Sequence, residues 1–170
     1  MQPQQYTIIS KKRRKMMIRY EFRKPEGDTA LCLIELSEAW VQENCCNGMV
    51  KNDLSDLTEP LLVALDDNQI IGYCFGHFYK EERNRSYASA GENCFSLDEL
   101  YVLPEYRGRG VGKALFHTME ERVEGECSCM TLATSTKNYQ AILKLYIEEL
   151  GMTFSSAFLF KRTREETPCE

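Results

Sequence analysis

The segment Leu97-Asp98-Glu99-Leu100-Tyr101-Val102-Leu103-Pro104-Glu105-Tyr106-Arg107-Gly108-Arg109-Gly110-Val111-Gly112-Lys113-Ala114 constrains this chain more than any other. An apolar, β-prone run stops at a proline, passes through a glycine-rich turn and opens a helical pattern. Gly108, Gly110 and Gly112 let the backbone approach a ligand with no Cβ in the way. The free N–H groups and positive dipole end of the helix that follows favour a phosphate or pyrophosphate. Arg107, Arg109 and Lys113 add positive charge to the same end.

Two familiar phosphate loops fail on spacing. A P-loop reads G-x-x-x-x-G-K-[S/T]; here Gly108 to Gly112 is one residue short, and Ala114 stands where the magnesium-binding hydroxyl belongs. A dinucleotide fingerprint, G-x-G-x-x-G, spaces its glycines differently and needs a leading βαβ unit, which the hairpins upstream do not supply.

The remaining pattern predicts one domain. Met17–Arg23 alternates apolar and polar residues as a strand does, and Pro25–Gly27 breaks it. Asp28 is a candidate N-cap for a helix to about Gln42, and Asn52–Leu57 is expected as a short second helix. Pro60–Leu65 and Ile70–Tyr79, joined by Asp66-Asp67-Asn68-Gln69, form a hairpin pattern. Lys80–Gly91 is a polar loop and Asn93–Leu103 a longer strand. Gly110–Val123 is an amphipathic helix, Cys127–Thr134 a strand, Tyr139–Leu150 a helix closed by Gly151, and Met152–Lys161 a final strand. Hairpins first and a crossover later predict an α+β (or α/β) fold with a mixed sheet packed by helices.

Charge and cysteine usage narrow the function classes. Net charge is −5, yet residues 1–24 carry +7, so the remainder carries −12. Such a body repels nucleic acid and attracts cationic molecules. The basic run reads as a solvated extension over residues 1–16; residues 17–162 are the expected domain and 163–170 a polar tail. Eight cysteines show no C-x-x-C pair, and only His77 and His117 could complete a metal site. Reduced thiols and no metal are therefore expected. No apolar run is long enough for a membrane span and residues 1–10 do not resemble a signal peptide, so a cytoplasmic location is expected.

The order Arg107-x-x-Gly110-x-Gly112 after an apolar strand resembles the [Q/R]-x-x-G-x-[G/A] signature of the GNAT superfamily, the GCN5-related N-acetyltransferases. Asn138-Tyr139-Gln140-Ala141-Ile142-Leu143-Lys144-Leu145-Tyr146, with Leu150-Gly151-Met152 after it, is similar to that family's second motif, an asparagine-to-tyrosine helix closed by glycine. The resemblance covers roughly residues 17–162. It implies a mixed, mostly antiparallel sheet of six to seven strands with one splayed parallel pair, flanked by about four helices. It also implies acetyl-CoA as acetyl donor. Backbone groups of Tyr101 and Val102 would hold the pantetheine arm, and the backbone of Arg107, Gly108, Arg109, Gly110, Val111, Gly112 and Lys113 the pyrophosphate. Asn138 would touch the cofactor, although asparagine there also reads as a plain N-cap.

The implied reaction is acetyl transfer to a primary amine, small molecule or peptide, cationic given the charge of the body. It needs a neutral amine, a stabilised oxyanion and a protonated leaving thiolate. Tyr146 matches the family's proton donor, and the oxyanion would meet a backbone N–H near Val102. Asp98 and Glu99 resemble the adjacent acidic pair of spermidine/spermine N-acetyltransferases and are the candidate bases. Alternation turns only one of them into the site unless a bulge intervenes, and Asp98, sharing the facing of Leu100, is preferred. His77 could assist, though the commoner reading of such a histidine is structural. Tyr73, Phe75, Phe78 and Tyr79 read as an aromatic wall or as core.

Two departures limit what carries over. Ala133 stands where ribosomal-protein acetyltransferases of the superfamily place a glutamate, and Met152 where an aromatic is common. Homodimers are frequent in the superfamily, but nothing in the sequence singles out a surface. The alternative is a CoA-binding regulatory module with the same fold and no transfer activity.

Overall fold

The structure is a computed structural model describing residues 17–161. The expected basic extension and the polar tail lie outside the described residues. Five strands form one sheet in the order β1-β2-β3-β4-β5: β1 Ile18–Arg23, β2 Leu61–Asp66, β3 Gln69–Lys80, β4 Asn93–Val102 and β5 Cys129–Leu132. The first four pair antiparallel, and only β4 with β5 is parallel. The parallel pair is the one that a crossover helix joins, as connection length requires.

Helix α1 (Gly27–Gln42) covers one face. Ala30, Leu33 and Leu36 meet Leu61, Val63, Leu65, Tyr73, Phe75 and Tyr101 there. Helix α2 (Val111–Val123) covers the other, where Val111, Leu115, Phe116, Met119 and Val123 pack on Leu62, Ala64, Ile71, Cys74, Phe95, Leu97 and Val102. Both faces are fully apolar at the centre, which is why β2 reads as an unbroken hydrophobic run and not an alternating one. The third helix, α3 (Tyr139–Lys144), widens into a π-helical turn over Leu145–Glu149 and lies on the α2 face. Among the described residues no helix is long and apolar enough to cross a membrane.

Four sequence expectations are corrected. The helix expected at Asn52–Leu57 is a set of turns: Asp53 Oδ1 accepts from the Ser55 N–H and hydroxyl at 2.7 and 2.6 Å, and Asp56 Oδ2 from the Asp53 N–H at 2.8 Å. Such side-chain bonds compete with a helix for the same backbone groups. Residues 152–161 join no strand, with Phe158, Leu159 and Phe160 strongly exposed, so the described sheet has five strands instead of six or seven. An alternating pattern encodes readiness to pair; it does not supply an edge to pair with. The helices number three, with short 3₁₀ and π turns, where about four were expected. Asp28 lies inside the first turn of α1 and not at its cap, near the positive end of the helix dipole.

Candidate active site

Two irregularities in β4 build the site. The first is a bulge: Phe75 pairs with Glu99 and Gly76 with Leu97, leaving Asp98 as the extra residue. Phe95 and Leu97 face α2, whereas beyond the bulge Glu99 and Tyr101 face α1 and Leu100 and Val102 face α2. The bulge thus turns both carboxylates toward the α1 face, and the expectation that Asp98 shares the facing of Leu100 is overturned. Sequence alternation could not foresee this, because one inserted residue reverses every position after it.

The second irregularity is a parting of strands. Pairing of β4 with β5 runs from Cys94–Cys129 to Leu97–Leu132 and stops, while β4 continues to Val102. The chain after β5 pairs elsewhere: Thr136 bridges Cys46, the Asn47 N–H bonds Ser135 O at 2.9 Å, and the Lys137 N–H bonds Cys45 O at 2.8 Å. A V-shaped gap follows. The Leu103 N–H donates to Ile71 O at 2.9 Å, so Tyr101, two residues back, directs its backbone at β3. Leu100 and Val102 direct theirs into the gap. Tyr101, expected to turn its backbone to the gap, is paired with β3 instead.

The carboxylates have different surroundings. Asp98 Oδ2 lies 2.7 Å from His77 Nδ1, and Oδ1 accepts from Ser96 Oγ at 2.8 Å. Glu99 Oε2 accepts from Tyr73 Oη at 2.8 Å and from Asn52 Nδ2 at 2.9 Å. Burial pushes the Glu99 carboxyl up and outweighs those two donors, with Asp56 and Asp98 adding to the rise. Asp98 and His77 are thus the more accessible pair, and Glu99 is a half-buried member of a hydrogen-bonded network.

On the α2 face the glycine-rich turn enters α2. Gly108 and Gly110 adopt φ of +70° and +84°, a region other residues enter only under strain. The N–H groups of Val111, Gly112 and Lys113, in the first turn, have no intrahelical acceptor. A Cβ on Gly112 would lie 3.5 Å from Leu100 Cδ2 and 3.8 Å from Val102 Cγ2, so the turn sits directly over the end of β4. All three expected cations have partners. Arg107 binds Glu43 in a two-pronged pair at 2.7 and 2.8 Å and donates from Nε to Val102 O at 2.7 Å. Lys113 pairs with Glu149 of the π turn. Arg109 stands over the Tyr106 ring.

Tyr146 lies on the same face, against Phe116 with ring centres 6.1 Å apart. Burial, reinforced by nearby Cys74, pushes its hydroxyl up to about 12, so it stays protonated at neutral pH. Asn138 stands at the N-cap of α3, as its N-cap reading has it, but makes no side-chain cap bond. The structure therefore places Tyr146 and the nest on one face of the sheet, and Asp98 and Glu99 on the other.

Several residues of this arrangement escaped the sequence reading. Glu43, just after α1, binds Arg107 and accepts from Tyr101 Oη at 2.8 Å; Trp40 stacks on Tyr101 with centroids 5.1 Å apart. Burial raises the Glu43 carboxyl, but the bonds from Arg107 and Tyr101 outweigh it and hold the group below the usual carboxylate range. Asn52 and Tyr73 support Glu99. None has a local signal, since each acts across dozens of residues of chain.

A model of the acetyltransferase (GNAT) family matches residues 21–152. The chain belongs to the GNAT acetyltransferase family. It is an acetyl-CoA-dependent N-acetyltransferase of the GNAT type, with acetyl-CoA as donor. Solved GNAT structures share the fold. An aminoglycoside acetyltransferase from an uncultured soil metagenomic sample, in complex with sisomicin, aligns with a TM-score of 0.62 at 17% identity, over 87% of this chain and 97% of that one. The aminoglycoside N-acetyltransferase AAC(6')-Iy in complex with CoA gives 0.59 at 17%, over 89% and 98%. A ribosomal-protein-alanine N-acetyltransferase from Brucella melitensis biovar Abortus 2308 gives 0.58 at 19%, over 86% and 99%. At such identities the likeness is one of fold. No curated protein sequence matches the chain.

The GNAT donor fits the observed cradle. The first turn of α2 offers unsatisfied N–H groups, the glycines leave room beside them, and Leu100 and Val102 present strand-like backbone to the gap.

Proposed function

We propose that this acetyltransferase acetylates a primary amine of a cationic acceptor that enters from the α1 face, while the donor lies on the α2 face. The observation that carries this reading is the end of β4–β5 pairing at Leu97–Leu132, which opens the sheet between the two sets of residues. Acetyl-CoA supplies an acyl carbonyl activated as a thioester. The nest from Arg107 to Lys113 holds the diphosphate, and Asn138 contacts the donor from the α3 side. Leu100 and Val102 orient the pantetheine arm as an added strand, and the Val102 N–H polarises the carbonyl oxygen. Tyr146 keeps its proton on Oη until the sulfur departs and then gives it up. The acceptor ammonium loses its proton at the Asp98 end of the bulge, while Glu99 shapes the floor of that site. Residues 17–162 act as one catalytic domain. The free thiols of the seven described cysteines agree with a cytoplasmic setting.

The charge of the body supports a cationic acceptor, and Asp56, Asp98 and Glu99 lie close enough on the α1 face to influence one another. Aminoglycoside acetyltransferases among the fold relatives agree with that class. Ala133, with no carboxylate, weighs against a ribosomal-protein terminus. The test is CoA release, read with a thiol reagent, over a panel of aminoglycosides, polyamines, lysine derivatives and peptide N-termini. A cationic amine should yield thiol stoichiometric with acetylated product. If CoA raises the melting temperature yet no amine releases thiol, the chain is a CoA-binding module and this reading is wrong.

A further inference from the structure

We infer that His77 is the group that takes the acceptor's proton, with Asp98 as its positioning residue; this rests on the acetyl-transfer reading above. His77 belongs to β3 and pairs with Ser96 of β4, beside the bulge. Its side chain is half exposed, so it is not held in the core. Nδ1 is 2.7 Å from Asp98 Oδ2, and among the described residues no hydrogen bond engages Nε2.

The tautomer follows from the rest of the network. Asp98 is acceptor-only when ionised, so Nδ1 carries the hydrogen and Nε2 keeps its lone pair. Ser96 Oγ holds Oδ1 at 2.8 Å, and Thr58 Oγ1, which bonds Gly76 O at 3.0 Å, lies 3.5 Å from Oδ2. The carboxylate is fixed on three sides and the imidazole is fixed through it. Tyr79, with its ring centre 6.1 Å away, flanks the imidazole along β3. Three carboxylates stand together here, Asp98 and Glu99 of β4 and Asp56 of the 52–58 segment, whereas the Arg107 cation on the same face is paired with Glu43. These carboxylates attract an ammonium to the half-exposed imidazole.

The step balances without another reactant. The N–H bond of the acceptor ammonium breaks, its electron pair stays on nitrogen, and the proton passes to Nε2. The resulting imidazolium is compensated by the Asp98 carboxylate and returns the proton to water through its exposed edge. Asp98 thereby acts through His77 and not on the amine, and Glu99 stays in its network with Tyr73 and Asn52.

The experiment compares His77→Ala, His77→Gln and Asp98→Asn with the wild type, using the best amine from the panel. General base catalysis is worth roughly 10²–10⁴-fold, so both His77 variants should lose about 100-fold or more in kcat. The KM for acetyl-CoA should stay unchanged, because the donor lies on the other face. The deficit should shrink as pH rises and the amine becomes neutral by itself, and added imidazole should restore part of the His77→Ala rate. A readout independent of turnover is the ¹⁵N spectrum of histidine-labelled protein, which contains only His77 and His117. The wild type should show His77 protonated on Nδ1. In Asp98→Asn, Ser96 keeps the side-chain oxygen, the amide group faces Nδ1, and the proton should move to Nε2. A wild type that acetylates amines while His77→Ala keeps its full rate would overturn this proposal and leave acetyl transfer standing. So would an Nε2-protonated His77 in the wild type. A wild type that acetylates nothing would overturn the underlying reading instead.

Discussion

Replacing Gly76 with alanine tests the bulge that turns the two carboxylates to the acceptor side. A Cβ built there would lie 2.0 Å from Ser96 O and 2.6 Å from the Phe95 ring. The nearer obstacle is a backbone carbonyl, which cannot rotate aside as a side chain could. Reaching an ordinary carbon contact of about 3.5 Å would require β3 and β4 to separate locally by about 1.5 Å. Overpacking costs about 1–3 kcal/mol, and each ladder hydrogen bond lost in the separation adds about 1 kcal/mol. The sum is about 3–5 kcal/mol. For a chain of this size that corresponds to a melting temperature about 6–20 °C lower. Urea unfolding followed by circular dichroism measures it. Gly125→Ala is the matched control: φ is +82°, nothing lies within 4 Å, and left-handed strain alone should cost about 1–2 kcal/mol. If Gly76→Ala unfolds within 1 kcal/mol of the wild type, or no worse than Gly125→Ala, then the close approach at the bulge does not exist as described.

Three further predictions concern the groups around the gap. Glu43→Gln removes the charge bound by Arg107, whose side chain is 43% exposed, so solvent screening holds the expected loss to about 1–2 kcal/mol. Because the folded Glu43 carboxyl sits below its unfolded value, its stabilisation is present above the unfolded pKa and lost as pH falls through the folded one; the variant should lack that acid-side decline in urea titrations. Glu99 has the opposite sign. Its raised folded pKa favours the protein below the unfolded value, and that contribution is lost as pH rises through the folded value, so Glu99→Gln should lack this decline and gain on the wild type as pH rises above the ordinary carboxylate range. A destabilised Glu99→Gln would show that the ionised carboxylate, not its shape, supports Tyr73 and Asn52. Tyr146→Phe should lower kcat by about 10²-fold or more while leaving CoA affinity, read by calorimetry, within a factor of about three; unchanged turnover would remove the tyrosine from the proton path.

The strands, the two long helices and the glycine-rich turn were legible in the chain because each depends on neighbours within a few residues: period-2 and period-3.6 patterns, breakers and left-handed glycines. The motif residues were legible for the same reason, since a nest of backbone donors is made by one continuous segment. Three things were decided only in the folded molecule. The Asp98 bulge depends on how β4 registers against β3, and register is a property of two strands together. The opening beyond Leu97 depends on residues 135–137 pairing with 45–47, nearly a hundred residues away in sequence. The clamps Glu43–Arg107 and His77–Asp98 join separate elements across the sheet. Short-range sterics and hydrophobic period write the elements into the sequence; where chemistry-bearing side chains meet is a long-range question of packing and hydrogen-bond satisfaction, and only the assembled sheet answers it.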